Sequence, residues 1–198
     1  MDLIDSLVGI APGSALDAIR ARRAVARDQS EASYRALFAP AVPGELSLAE
    51  RFAIGAYVTG LHGASPTADH YRAALAAQSP ALSEAVAQAI AATAGTGPYG
   101  RFPAGPLSAE DAPGAEAALP LAVAEALGPR LAAALPHAHF LVFHPRDAAP
   151  ERFAPLLAAG WSTTGIVTLS QIVSFLAYQV RVVAGLRVLV DTLAEGAA

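Results

Sequence analysis

About thirty residues near the C-terminal end, Thr164 to Leu193, carry apolar side chains at helical spacing with no proline among them, and this run limits the possible folds more than any other. At 1.5 Å per residue it would form a helix about 45 Å long. Ile166, Leu169, Ile172, Val173, Phe175, Leu176, Val180, Val183, Leu186 and Val190 cover more than one stripe of its surface. One small core cannot occupy all of that surface, so part of it is expected to meet another subunit, which makes a homo-oligomer the expected state. Composition points the same way. Apolar residues make up 54% of the 198-residue chain and charged residues 15%, against about 45–50% and about 25% in a typical soluble domain.

The remaining segments also repeat at helical period, and strand alternation is missing, so the expected class is all-α in one domain spanning residues 1–198. A first helix is expected from Ser14 to Asp28, with Leu16, Ile19, Ala24 and Val25 inward and Arg20, Arg22, Arg23 and Arg27 solvated. A short helix through Tyr34 and Phe38 follows, and Pro40, Pro43 and Gly44 break the pattern. Ser47-Leu48-Ala49-Glu50 reads as a capping box opening a helix that is apolar nearly all round and stops at His62-Gly63. Ser65-Pro66 and Ser79-Pro80 each start a further helix, with serine as N-cap and proline at the first position, where its missing N–H costs nothing. Gly95 to Ala115 is a Gly/Pro-rich loop that Tyr99, Phe102 and Leu107 are expected to pack down. Helix resumes from about Glu116 to Phe143, bent near Pro120, Pro129 and Pro136, and a short helix runs from Ala149-Pro150 to Gly160.

Charge and sulfur narrow the functional classes. A net charge of −4 offers no basic stripe for phosphates, which argues against nucleic acid and anionic membranes. The opening MDLIDSLVGIAPG carries acids where a secretory signal carries Lys or Arg, so a cytoplasmic location is expected. Gly165 to Val180, the best candidate for a membrane span, is short and holds Ser170, Gln171, Ser174 and Gln179, so a buried helix is expected instead. The absence of cysteine excludes disulfides, thiolate metal sites and cysteine nucleophiles.

Two segments, LSLAERFAIGAYVTGLHGASPTADHYRAAL and HPRDAAPERFAPLLAAGWSTTGIVTLSQIVSFLAYQVRVVAGLRV, resemble the carboxymuconolactone decarboxylase superfamily, in particular its alkylhydroperoxidase D-like, peroxidase-related branch. With the helix between them they span about two-thirds of the chain. The resemblance implies a helical bundle with a long C-terminal helix. It also implies an active site built from a Glu in one helix, a C-x-x-C pair opening the next and a His one turn on, where a helix N-terminus and a nearby base favour the attacking thiolate. Carried onto this chain, the thiol positions fall on Ala64 and Thr67, the His on Tyr71 and the Glu on Phe52. None of these groups can perform the same step. The resemblance therefore implies a protein without thiol chemistry that binds a small molecule or supports a partner, either another copy or a cysteine-bearing homologue. The alternative is a cysteine-free acid–base enzyme of the decarboxylase type, sharing proton transfer among His62, His70, Tyr71 and Glu50. No cofactor is implied.

Each of these residues also has a structural reading. Glu50 completes the capping box; His62 sits at a helix C-terminus, where a protonated ring would be stabilised; His70 and Tyr71 could form a hydrogen-bonded pair. Tyr99, Arg101 and Phe102 could cover a pocket or line an interface, and Arg181 could face an anionic ligand or pair with a carboxylate. On a helix, His137 and His144 share a face while His139 points elsewhere, and no carboxylate at i+3 or i+4 completes a set, so no metal site is expected.

Overall fold

A computed structural model describes residues 2–195. Among them the chain is all-α, with nine α-helices: α1 Leu3–Val8, α2 Ala15–Ala21, α3 Ala24–Phe38, α4 Leu48–Leu61, α5 Pro66–Gln78, α6 Pro80–Thr93, α7 Leu121–Phe143, α8 Ala154–Ala158 and α9 Thr163–Glu195. Helix α4 is the central post. Every residue from Arg51 to Thr59 is buried, because α5, α6, α7 and α9 pack around it. Its start is the capping box read from the sequence: the Ser47 hydroxyl accepts from the Glu50 N–H, and the Glu50 carboxylate accepts from the Ser47 N–H at 2.8 Å. Ser65 and Ser79 cap α5 and α6 by the side-chain half of that motif alone, accepting from the Ala68 and Leu82 N–H, and each is followed by proline.

So crowded a helix needs small residues where neighbours come close. A Cβ on Gly55 would lie 2.8 Å from a ring carbon of the buried Tyr71 and 3.1 Å from Phe38. The one strongly polar residue of that face, Arg51, is accommodated because its guanidinium donates to three backbone carbonyls. These are Leu46 at 3.1 Å, Leu37 at 2.7 Å and Pro43 at 2.7 Å, so Arg51 fastens the chain between α3 and α4.

The N-terminal third differs from the sequence expectation. The helix expected from Ser14 to Asp28 is broken at Arg22-Arg23, and its second half belongs to α3, which absorbs the short helix through Tyr34 and Phe38. Val25 points outward, 75% exposed. Arg20 and Arg27, expected in solvent, turn instead toward acids on α1. Arg20 contacts Asp2 at 2.5 Å and Asp5 at 2.7 Å, while Arg27 pairs with Asp5 and, at 2.9 Å, with Asp17. The acids of the opening segment thus hold three short helices together.

Two further differences concern α7 and the loop before it. Helix begins at Leu121 rather than Glu116, and the break falls at Gly128, whose φ of +74° suits glycine, with Pro129 opening the second stretch. The loop packs through Tyr99 and Phe102, but Leu107 is exposed. Gly100 and Ala112 pair as an antiparallel bridge, and the Tyr99 N–H donates to Phe143 O at 2.5 Å, which moors the loop on the end of α7. Helix α9 follows the expected bounds. By length and apolar composition it satisfies what a bilayer span requires, and 33% of that window is buried within the protein.

Asp5 is 1% exposed and faces two guanidinium groups, so replacing it leaves charge uncompensated. Asp5→Ala is expected to cost about 3–5 kcal/mol in urea unfolding, whereas Arg22→Ala, at an exposed position, should leave the midpoint unchanged.

Candidate functional site

The joint between α4 and α5 is where the resemblance would seat an active site. The chain turns through Leu61-His62-Gly63-Ala64, and Ser65 opens α5. What fills the joint is aromatic. Tyr71 is fully buried; its ring centroid lies 4.7 Å from Phe38 and 6.5 Å from Phe52, and Phe175 of α9 closes the cluster 6.4 Å from Phe38. Phe52, at the expected Glu position, is core.

Some polar groups of the joint are engaged within the chain, while His62 Nε2, Thr67 Oγ1 and Gln179 Nε2 are buried without a hydrogen-bond partner. The Tyr71 hydroxyl donates to Oε1 of the buried Gln179 at 2.7 Å, and burial pushes its pKa far up, so it holds its proton. His70 does not bond to Tyr71. The rings meet edge to face at 5.0 Å, and His70 Nε2 lies 3.2 Å from the Tyr34 hydroxyl. His62 is the C-cap residue of α4, but burial and then the positive charge of Arg181 lower its pKa, opposite to the protonated cap considered from the sequence. Arg181 itself is exposed and donates to Ala177 O at 2.7 Å. Burial pushes the Glu50 carboxyl up, but hydrogen bonds from Arg130 at 2.8 Å and from Ser47 outweigh it and leave the pKa below the ordinary carboxylate value. Glu50 is therefore an ion-paired cap. Ala64 and Thr67 do not face one another across a pocket: Ala64 is exposed beside a shallow cavity of about 220 Å³ between α4, α5 and α6, while Thr67 is buried with its hydroxyl unpartnered. Among the described residues, none of His62, His70, Tyr71 and Glu50 lines this cavity or the larger trough and clefts of the fold.

Open space lies elsewhere. Between α3 and α9 runs a trough of about 890 Å³, lined among others by Ser30, Ser33, Leu37, Ile166, Phe175 and Tyr178. Its exposed wall area is mostly apolar, and polarity enters through Gln29, Gln171 and the serines of both helices, with the Ser30 and Tyr178 hydroxyls hydrogen-bonded at 2.6 Å. The trough follows from size: Ala26, Ser30 and Ser33 on α3 face Ser170 and Ser174 on α9, and small side chains spaced one turn apart on both helices cannot fill the gap. The sequence held that signal in the serine spacing, but nothing in it paired α3 with α9.

The histidines of α7 correct a second expectation. The helix ends at Phe143, and His144 leaves it with φ −124° and ψ 38°. Its ring turns back to lie 6.3 Å from His139 and parallel to Phe140 at 6.1 Å. His137, His139 and His144 consequently line one cleft of about 340 Å³. The loop residues Tyr99, Arg101 and Phe102 stand beside it: the Tyr99 ring is 5.2 Å from His144, the Arg101 N–H donates to Asp147 Oδ1 at 3.0 Å, and Arg146 covers the Phe102 ring at 4.0 Å. Among the described residues, no three His, Asp or Glu side chains are grouped to hold a metal ion.

No protein-family model, no curated protein and no solved structure matches this chain.

Two outcomes follow from the joint and the buried rings. Tyr71→Phe strips Gln179 Oε1 of its donor inside the core and is expected to cost about 1–3 kcal/mol in urea unfolding. Burial lowers the pKa of His62, His70, His137 and His139 below the ordinary 6.5. The unfolded chain then binds more protons than the fold once pH drops below that value, so this stability is complete above pH 6.5 and is lost progressively below it. Urea midpoints measured from pH 7.5 downward should begin to fall near pH 6.5, before the carboxylate range is reached.

Proposed function

We propose that this protein is a cytoplasmic, self-associating relative of the carboxymuconolactone decarboxylase superfamily, and that it binds a small apolar molecule in the trough between α3 and α9 instead of carrying out thiol chemistry. The resemblance in two sequence segments supports the kinship, and the absence of cysteine removes the peroxidase step. The observation that carries the binding reading is the contrast between a joint packed with aromatic rings and a trough of about 890 Å³. That volume lies within the range of about 300–1,000 Å³ usual for small-molecule pockets. Walls that are apolar by area but carry Ser30, Ser33, Ser170, Ser174 and Tyr178 hydroxyls suit a ligand with a hydrocarbon body and some polar groups. Val167 and Tyr178, exposed on α9 along the same trough, supply apolar surface that a second subunit would cover.

Binding of 8-anilinonaphthalene-1-sulfonate is expected to saturate at about one probe per chain, and 1-decanol should displace it. Ser174→Trp fills the trough from α9 and should weaken binding at least about tenfold, by the steric loss of a pocket. Its melting temperature should stay near that of the parent, because Ser174 is exposed. Unsaturable probe binding, or an unchanged affinity in Ser174→Trp, would remove the trough from the function. A sedimentation profile of monomer alone at 100-fold the working concentration would remove the self-association.

A further inference from the structure

The trough between α3 and α9 is not uniform along its length, and the difference follows from how the two helices are aligned. At one end the Ser30 and Tyr178 hydroxyls meet at 2.6 Å. At the other, Arg51 joins Leu37 O at 2.7 Å to Leu46 O at 3.1 Å, and Glu45, next to Leu46, accepts from the Ser162 hydroxyl just before α9. The end of α3 therefore lies by the start of α9, and the two helices run antiparallel. Lining residues extend from Ile166 to Tyr178 on α9 and from Ala26 to Leu37 on α3. At 1.5 Å per residue these stretches are about 18 Å and about 16 Å long.

Along that axis the side chains fall into two groups. Toward Tyr178 the walls carry Gln29, Ser33 and Ser174, all exposed. Toward Leu37 they carry Ala36, Ile166 and Val167. The two less exposed serines do not change this division, because their hydroxyls donate to their own helices, Ser30 to Ala26 O at 2.7 Å and Ser170 to Ile166 O at 2.9 Å. One end of the trough thus offers amide and hydroxyl groups, and the other offers hydrocarbon. No charged side chain lines the walls, although α3 carries Arg27, Asp28, Glu31 and Arg35. A charged ligand would find no counter-ion on them.

Starting from the binding reading of the trough, on which this rests, we infer that the ligand is a linear, uncharged amphiphile: an alkyl chain with a hydroxyl-type head, lying with its head toward Tyr178 and its tail along Leu37 and Ile166. With C–C bonds about 1.5 Å long at tetrahedral angles, about fourteen carbons fill the length of the trough.

The test titrates 1-alkanols from hexanol to hexadecanol, each below its solubility limit, against the whole chain loaded with the uncharged probe N-phenyl-1-naphthylamine. Each added carbon should tighten binding about twofold to fourfold, the gain from burying one methylene in part or in full. The trend should level off at about fourteen carbons. Two variants at exposed positions fix the direction. Ala36→Trp, at the tail end, should leave hexanol unaffected and bring the levelling-off to shorter chains. Gln29→Trp, at the head end, should weaken every length at least about tenfold. Dodecanoate should bind no tighter than 1-dodecanol. The alkanol series on the unaltered chain stands on its own should either variant fold poorly. A trend that never levels off, the same levelling-off in Ala36→Trp, exchanged effects of the two variants, or tighter binding of dodecanoate would overturn the inference and leave the trough a binding site. Failure of the chain to hold the probe or any alkanol would overturn the binding reading as well.

Discussion

Burying one helix on all sides is the constraint from which the rest of this architecture follows. Helix α4 presents no polar face except at its ends, so it must be enclosed, and α5, α6, α7 and α9 supply the enclosure. Enclosure then sets local chemistry. Gly55 makes room for Tyr71; Arg51 spends its guanidinium on three carbonyls, one at the end of α3 and two in the loop after it; Thr59 turns its hydroxyl back to Gly55 O at 2.8 Å. Each is a way of keeping polar atoms satisfied in a place where water does not reach. The same pressure explains the joint. The positions onto which the resemblance carries a Glu and a His are occupied by Phe52 and Tyr71, residues whose value lies in volume and contact.

Elements with local signals could be read before any coordinates. The capping box at Ser47, the two Ser-Pro starts and the long run of α9 each depend on residues within one or two turns of one another, and the structure has all of them where the spacing put them. Nonlocal partners were not legible. Arg20 and Arg27 read as solvated because nothing in the chain announces that Asp2 and Asp5 return beside them. The helix break at Arg22-Arg23 was hidden for the same reason, since no proline or glycine marks it. The end of the helix at Phe143 was legible, but the face shared by His137 and His144 held only if the helix ran on through His144, and the sequence does not say where a residue just past a helix end turns its ring. One departure in φ and ψ then brought three rings into one cleft.

The candidate site divides along the same line. Glu50, His62, His70 and Tyr71 lie close in sequence, yet Glu50 and His62 stand at opposite ends of α4, and the hydrogen-bond partners of Glu50, His70 and Tyr71 come from elsewhere: Arg130, Tyr34 and Gln179. Those partners convert groups of potential acid–base use into fasteners. The trough and the α7 cleft are nonlocal as well, one formed between α3 and α9 and the other where α7 meets the segment around Glu151 and the loop at Glu116. Neither helix of the trough carries an unusual motif, and its existence depends on small residues of both coming face to face.

Arg130 has a consequence for how this molecule can be observed. Its guanidinium reaches Glu50 at the start of α4 and Gly160 O just before α9, and it lies 4.5 Å over the ring of Trp161, whose indole N–H donates to Arg130 O at 3.0 Å. Trp161 is the sole tryptophan of the chain. A stacked cation and a held N–H make its emission responsive to small displacements of the first turns of α9, where Ile166 and Val167 border the trough. If the trough binds a ligand as proposed and shifts these turns, intrinsic fluorescence of Trp161 would report it without any label.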